Sequence, residues 1–254
     1  MPLRLIHITD CHLFAAPVTL LKDISTRERL EQVLKALQPE LSRAERLIVT
    51  GDLTHDERVE TYQVLRELLA EWLPKHRLLP GNHDDRALMR QVFGDVIQTA
   101  GPRNVFRETV GNWLLIGLDT QIPGSLSGEV GDEQLAWLEQ QLAASSLPTA
   151  IFMHHPSLDI SSSWLDKIGL TDASALWQLL TRFPQVRVLC GGHVHQEWTA
   201  SRGSVLVLAT PSTAVQFQPE SELLVVDDVP PGYRILELAD DGSVQTRVIR
   251  VPAV

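Results

Sequence analysis

Residues 46–84 read RLIVTGDLTHDERVETYQVLRELLAEWLPKHRLLPGNHD, and this stretch decides the fold class. RLIVT (46–50) is a short apolar run of strand length. Val59 to Trp72 carries apolar residues at helical spacing, with Pro74 as its stop. HRLLP (76–80) is a second apolar run. Strand, helix and strand at this pace make a βαβ unit and predict a largely parallel sheet. Both strands run into polar residues, Gly51-Asp52 after the first and Gly81-Asn82-His83-Asp84 after the second. Gly, Asn and Asp are ordinary turn residues. The question is whether these turns also aim side chains at a common target.

The pattern extends in both directions. LRLIHIT (3–9) is a strand ahead of a helical stretch, Ser25 to Leu37. NVFRETV (104–110) and NWLLIGLDT (112–120) flank a Gly111-Asn112 turn and predict an antiparallel pair. DEQLAWLEQQLA (132–143) places Leu135, Leu138 and Leu142 on one helical face. TAIFMHH (149–155) and VRVLCGGHVH (186–195) are buried strands with polar ends. Beyond them, SVLVLAT (204–210), SELLVVDDV (221–229), YRILEL (233–238) and SVQTRVIRV (243–251) read as a run of antiparallel strands. No linker, repeat or charge block interrupts the chain. One α/β domain over residues 1–254 is expected, its sheets covered by helices.

Composition narrows the function classes. A formal net charge of −10 argues against a non-specific binder of nucleic acid or anionic membranes. Two cysteines, Cys11 and Cys190, exclude a disulfide scaffold and fit a reducing compartment. The N-terminus lacks a signal-peptide pattern, and no apolar run reaches the length of a membrane span. A cytoplasmic location is the expectation.

Five apolar runs end in potential metal ligands: Asp10-Cys11-His12, Gly51-Asp52, Gly81-Asn82-His83-Asp84, His154-His155 and Gly192-His193-Val194-His195. Ligands of open α/β sheets bind beyond the carboxyl ends of the strands, so neighbouring strands would bring these clusters together. Asp10 and His12 are two apart, as are His193 and His195. On extended backbone each pair shares one face. Glycines at 51, 81, 191 and 192 let the chain turn sharply or let bulky groups approach. A lone strand-end histidine is ordinarily a structural hydrogen-bonder, Asp52 alone suits a helix cap, and Asn82 alone suits a turn. Five such clusters together exceed one four-coordinate zinc and suit two metal ions with open positions.

In this order, Asp-x-His, Gly-Asp, Gly-Asn-His-Asp, His-His and Gly-His-x-His resemble the calcineurin-like metallophosphoesterases. ITDCHLF, GDLTHDE, LPGNHD, SWLD, CGGHVHQE, ATPSTAVQF and PGYRILEL resemble one branch, the bacterial class III 3',5'-cyclic-AMP phosphodiesterases of the CpdA type. The resemblance implies a four-layer α/β/β/α sandwich of two mixed sheets flanked by helices. It implies two divalent metal ions, with Fe(II) or Mn(II) favoured by the family. By the resemblance, Asp10, His12, Asp52 and His195 hold one ion, and Asp52, Asn82, His154 and His193 hold the other. It puts His12, Asp52, Asn82, His83 and His195 against substrate.

The implied reaction is hydrolysis of cyclic AMP to 5'-AMP by in-line attack of a metal-bound hydroxide. His83 would stabilise charge on the phosphoryl oxygens or protonate the leaving oxygen. The metals would offset the clash between an acidic protein and an anionic substrate. The same motifs would serve another phosphodiester, a nucleotide monoester or a pyrophosphate. A protein-binding scaffold on this fold would need neither the full ligand set nor His83.

One position departs from the family. Many relatives read Gly-Asp-x-x-Asp, the second Asp orienting the catalytic histidine, where this chain has His55 followed by Asp56. Either that dyad is absent, or Asp56 or Asp84 replaces it. Among other residues, His155 is expected to point away from the site, with Asp119, His7 and His76 in structural roles. Trp113, Trp137 and Trp177 read as core. Trp164, in the Ser-rich segment after His155, reads as part of a lid or an oligomer contact. ATPSTAVQF (209–217) is a second candidate wall of the pocket.

Overall fold

The computed structural model describes residues 2–72 and 75–252; the expected stop at Pro74 lies outside them. Strands β1 (Leu3–Ile8), β2 (Arg46–Thr50) and β3 (His76–Leu79) form the parallel half of a five-stranded sheet. The chain closes that sheet from its other end. β13 (Gly232–Leu238) pairs antiparallel with β1, and β14 (Val244–Arg250) pairs with β13.

The second sheet has the order β4-β5-β6-β7-β8-β10-β9. Its strands are β4 (Gln98–Ala100), β5 (Arg103–Val110), β6 (Trp113–Gly117), β7 (Thr149–Phe152), β8 (Val186–Gly191), β9 (Trp198–Arg202) and β10 (Val205–Ala209). β6, β7, β8 and β10 run parallel, with antiparallel strands at both edges.

Alternation along the strands builds the layers. Ile6, Ile8, Leu47 and Val49 meet helices α1 (Thr26–Leu37), α2 (Val59–Leu68) and α3 (Arg86–Phe93) through Leu30, Val33, Tyr62, Leu65, Met89 and Phe93. Leu5 and Ile48 point the other way and pack with Phe106, Leu115, Phe152 and Val188 between the two sheets. Leu114, Ile116 and Ile151 meet α4 (Asp132–Ala143) and α6 (Ala173–Leu180) on the far side. Helices, two mixed sheets and helices therefore stack as a four-layer α/β/β/α sandwich. Ser25 caps α1 by accepting from the Glu28 amide, and Asp85 caps α3 by accepting from Ala87 and Leu88.

The C-terminal third departs from the expected antiparallel run. SVLVLAT supplies β10, which lies parallel to β8. SELLVVDDV yields only β12 (Val226–Asp227), paired with β11 (Gln216–Phe217) in a two-stranded sheet. Leu223, Leu224 and Val225 stay exposed there, so the segment buries no alternating face. His7 is fully buried, and its ring joins Thr50 of one sheet at 2.7 Å to Thr210 beside the other at 2.7 Å.

Candidate metal centre

The polar segments leave the carboxyl ends of β1, β2, β3, β7 and β8, so both sheets deliver side chains to one edge of their interface. Short backbone bonds tie these segments together. Asp10 N–H donates to Gly51 O at 3.1 Å, His12 N–H to Asp52 O at 2.8 Å, and Gly192 N–H to His154 O at 3.0 Å. Glycines make the approach possible. A Cβ at Gly192 would lie 1.9 Å from Thr9 Oγ1 and 2.6 Å from Asp10 Oδ2. Asp84 locks two of the segments by accepting from the amides of Leu53, Thr54 and Gly81 and from the Tyr62 hydroxyl.

The backbone route differs from the one the i, i+2 spacing suggested. Asp10, His12, Asp52, His193 and His195 all lie past the strands, with φ of 54°, 44°, 48°, 69° and 51°. Left-handed backbone at five non-glycine residues costs on the order of 1–3 kcal/mol each and concentrates where packing over-determines the geometry. Alternation on extended strands does not align these pairs. His193 and His195 diverge instead, His193 toward Asn82 and His195 toward Asp10 and His12. Val194 turns into an apolar cluster with Ile160 and Leu165.

Two donor sets result. In the first, His195 Nε2 lies 3.3 Å from Asp10 Oδ1 and 3.1 Å from His12 Nε2, and His12 Nε2 lies 3.4 Å from Asp52 Oδ2. Ligand atoms of Asp10, His12, Asp52 and His195 all fall within 4.8 Å of one another. In the second, Asn82 Oδ1 sits 3.2 Å from His154 Nε2 and 3.0 Å from His193 Nδ1, with Asp52 Oδ1 3.4 Å from His154 Nε2. Asp52 faces the first set with one oxygen and the second with the other.

These contacts fit cations better than hydrogen bonds. His154 Nδ1 donates to Thr50 O at 2.7 Å, leaving its Nε2 lone pair aimed at two oxygens. His195 Nδ1 donates to Val215 O at 2.8 Å, leaving Nε2 aimed at the Asp10 carboxylate. Lone pairs facing lone pairs need positive charge between them, and a backbone carbonyl on the far nitrogen is the usual way to orient a metal-binding imidazole. Two donors each about 2.1 Å from a shared cation lie about 3.0–3.4 Å apart, the spacing found throughout.

Burial and neighbouring charge compete to set the protonation of the cluster. Burial pushes His12 well below the ordinary histidine range and His193 down to about 3, so both rings are neutral donors. Burial acts upward on the carboxyls but is outweighed, on Asp10 chiefly by His195 and on Asp52 chiefly by His154. Asp10 falls to about 2 and Asp52 well below the carboxylate range. Burial lowers His154, yet the Asp52 and Asp10 charges outweigh it and raise the ring to about 9. Without a metal, a proton occupies that gap.

The remaining expected residues divide clearly. His83 lines the cleft over the donor sets, along with His12, Asp52, Asn82, His193 and His195. Its backbone is held by Asp52 Oδ1, which accepts from His83 N–H at 2.9 Å, and by Thr54 Oγ1, which donates to its carbonyl at 3.0 Å. His155 has both nitrogens committed, to Thr120 Oγ1 at 2.8 Å and Leu126 O at 3.2 Å, and packs on the His193 ring at 4.7 Å. Asp119 is fully buried and binds Arg86, so it belongs to the scaffold. Neither Asp56 nor Asp84 reaches the His83 ring. Asp56 accepts from Ala15 N–H and Thr61 Oγ1.

An apolar wall completes the cleft. Trp164 and Ile168 come from the Ser-rich segment, where α5 (Ser163–Asp166) forms, and Val215 and Phe217 come from ATPSTAVQF. Phe217 stacks on His195 at 4.3 Å and 14°. Leu21, Lys22, Leu126 and Leu224 also face the cleft, and no periodicity in the sequence marks them.

Comparison with known proteins agrees with this geometry. The calcineurin-like phosphoesterase family model matches residues 3–197. The chain belongs to that family. It is 37% identical to the 3',5'-cyclic adenosine monophosphate phosphodiesterase CpdA of Pseudomonas aeruginosa, covering 98% of this chain and 90% of that protein. The CpdA of Escherichia coli K12 is 38% identical over the same shares. A 3',5'-cyclic-nucleotide phosphodiesterase of Nostoc is 34% identical, covering 99% and 94%. Among solved structures, a dimetal phosphatase from Danio rerio shares the fold, with a TM-score of 0.70 at 15% identity, covering 99% of this chain and all of that one. Among the described residues no helix is long and apolar enough to cross a membrane.

Proposed function

We propose that this chain, as one domain over residues 1–254, is a dimetal phosphodiesterase that opens 3',5'-cyclic AMP to 5'-AMP. The observation that carries the reading is Asp52, one carboxylate with an oxygen 3.4 Å from each of two histidines in separate donor sets. Asp10, His12, Asp52 and His195 would hold one divalent ion, and Asp52, Asn82, His154 and His193 the other. When bound, such a pair supplies an activated water and neutralises the phosphate charge. Mixed imidazole and carboxylate donors suit Fe(II), Mn(II), Co(II) or Zn(II), and it is the family resemblance that favours iron or manganese.

The chain's own groups do the rest. Around the phosphate, His12, Asp52, Asn82, His83 and His195 form the polar floor. His83 hydrogen-bonds a phosphoryl oxygen or gives a proton to the leaving 3'-oxygen, and its position in the cleft serves either role. The wall of Trp164, Phe217 and Leu224 receives the base and excludes water, while Lys22 adds positive charge at the rim. Two free cysteines, Cys11 and Cys190, accord with work in the cytoplasm.

A substrate panel on Mn(II)- or Fe(II)-reconstituted protein tests the reading. Cyclic AMP should be turned over in preference to nucleotide monoesters and pyrophosphates. Failure on cyclic nucleotides with every metal, together with good activity on a monoester, would overturn it.

A further inference from the structure

His55 is half-buried at the lip of the cleft and touches two functional rings at once. Its Nδ1 lies 3.1 Å from His12 Nδ1, the nitrogen of His12 that faces away from the donor set. Its ring stacks on His83 at 4.7 Å between centroids and 23° between planes. The Phe14 ring also packs on His55, tilted by 56° at 5.0 Å between centroids. Among the described residues nothing hydrogen-bonds the His83 ring, so this stack and the edge of His12 at 5.2 Å are what hold it.

We propose that His55 is a positioning residue for both neighbours: it accepts the His12 Nδ1–H and forms a shelf under the His83 imidazole. The inference rests on the dimetal reading above. Its logic follows from the two nitrogens of His12. Nε2 lies among Asp52 Oδ2 and His195 Nε2, so a cation there requires a lone pair on Nε2 and the hydrogen on Nδ1. An acceptor opposite Nδ1 fixes that tautomer, as Thr50 O does for His154 and Val215 O for His195. For His12 the acceptor is a side chain, and the same side chain supplies the flat surface on which His83 lies. One residue thus couples cation binding to the placement of the group nearest the phosphate.

Two substitutions separate these duties. His55→Gln retains an acceptor for His12 and removes the shelf. His55→Phe retains the shelf and removes the acceptor. Mn(II) binding to chelator-stripped protein, measured by calorimetry, should weaken about 10- to 100-fold in His55→Phe and only slightly in His55→Gln. Ring nitrogen shifts should report the Nδ1–H form of His12 in the wild type and in His55→Gln, and a mixture of tautomers in His55→Phe.

Turnover of cyclic AMP at saturating Mn(II) should fall about 10-fold or more in kcat for His55→Gln, with KM little changed. An Nε2–H form of His12 in the wild type, or wild-type Mn(II) affinity in His55→Phe, would overturn the acceptor role. Wild-type kcat in His55→Gln would overturn the shelf. The tautomer and binding measurements require no turnover. They therefore decide the acceptor role even if the unsubstituted protein proves inactive on cyclic nucleotides, the outcome that would sink the functional reading instead.

Discussion

A single methyl group added at Gly81 should dismantle the centre. Gly81 has no left-handed φ, so alanine costs nothing in backbone conformation; the conflict is purely one of space. Its Cβ would lie 2.2 Å from Asp52 Oδ1, 2.4 Å from the Asp52 amide nitrogen and 2.8 Å from His154 Nε2. An ordinary contact begins at 3.4 Å, so 3.4 minus 2.2 leaves the carboxylate about 1.2 Å too close. Asp52 cannot rotate clear, because its own backbone nitrogen blocks the same methyl and its oxygen holds the His83 amide at 2.9 Å. The loop after β2 must move, and with it the carboxylate shared by both donor sets.

Overpacking of this kind costs about 1–3 kcal/mol of stability. In a chain of this size that lowers the melting temperature by roughly 2–4 °C per kcal/mol. A displacement near 1 Å at the reacting centre costs on the order of 100-fold in kcat/KM, more if an ion is lost. The assay is cyclic AMP turnover with bound metal counted by elemental analysis, beside a Gly111→Ala control. Gly111 has φ of 54°, and a Cβ added there would meet nothing within 4 Å. That variant should lose about 1–2 kcal/mol of stability and no turnover. Two bound ions and near wild-type kcat/KM in Gly81→Ala would refute the spatial argument.

Asp52→Ala should lose metal and turnover together, checked by elemental analysis and rate on the same sample. On the proposed reading, in which His83 faces the phosphate and ligates neither ion, His83→Ala should keep both ions and lose about 10²- to 10⁴-fold in kcat. In the metal-free protein the raised His154 pKa contributes stability that is complete below pH 6.5 and is lost as pH rises through about 9. Its melting temperature should therefore fall across that window, and metal uptake at pH 7 should release a proton, read by calorimetry in buffers of different ionisation enthalpy. Asp119→Ala should cost about 3–5 kcal/mol in chemical denaturation, because Arg86 loses its buried partner.

The layers were legible in the sequence because burial writes a period. Leu5, Ile6, Ile48 and Val49 alternate between two packed faces, and Leu138 and Leu142 repeat at one helical turn. The candidate ligands were legible because metal chemistry restricts residue type: an Asp, Asn or His placed after an apolar run is conspicuous at each of five strand ends. Periodicity fails where an element buries no regular face, as in residues 221–229, which form only a two-residue strand.

Tertiary structure alone decided how the candidate ligands meet. The i, i+2 spacing of Asp10 and His12 suggested a shared strand face, but both residues adopt left-handed backbone beyond β1. Such conformations are imposed by contacts across the sheet interface, where Gly51, Gly81 and Gly192 leave room for His154, Asp52 and Asp10. The same holds for His55, which local sequence marks only as a departure from a motif. Its stack on His83 depends on two loops from neighbouring strands meeting face to face. Residue type and period are carried by the chain itself, whereas the aim of a side chain is fixed by whatever packs against it.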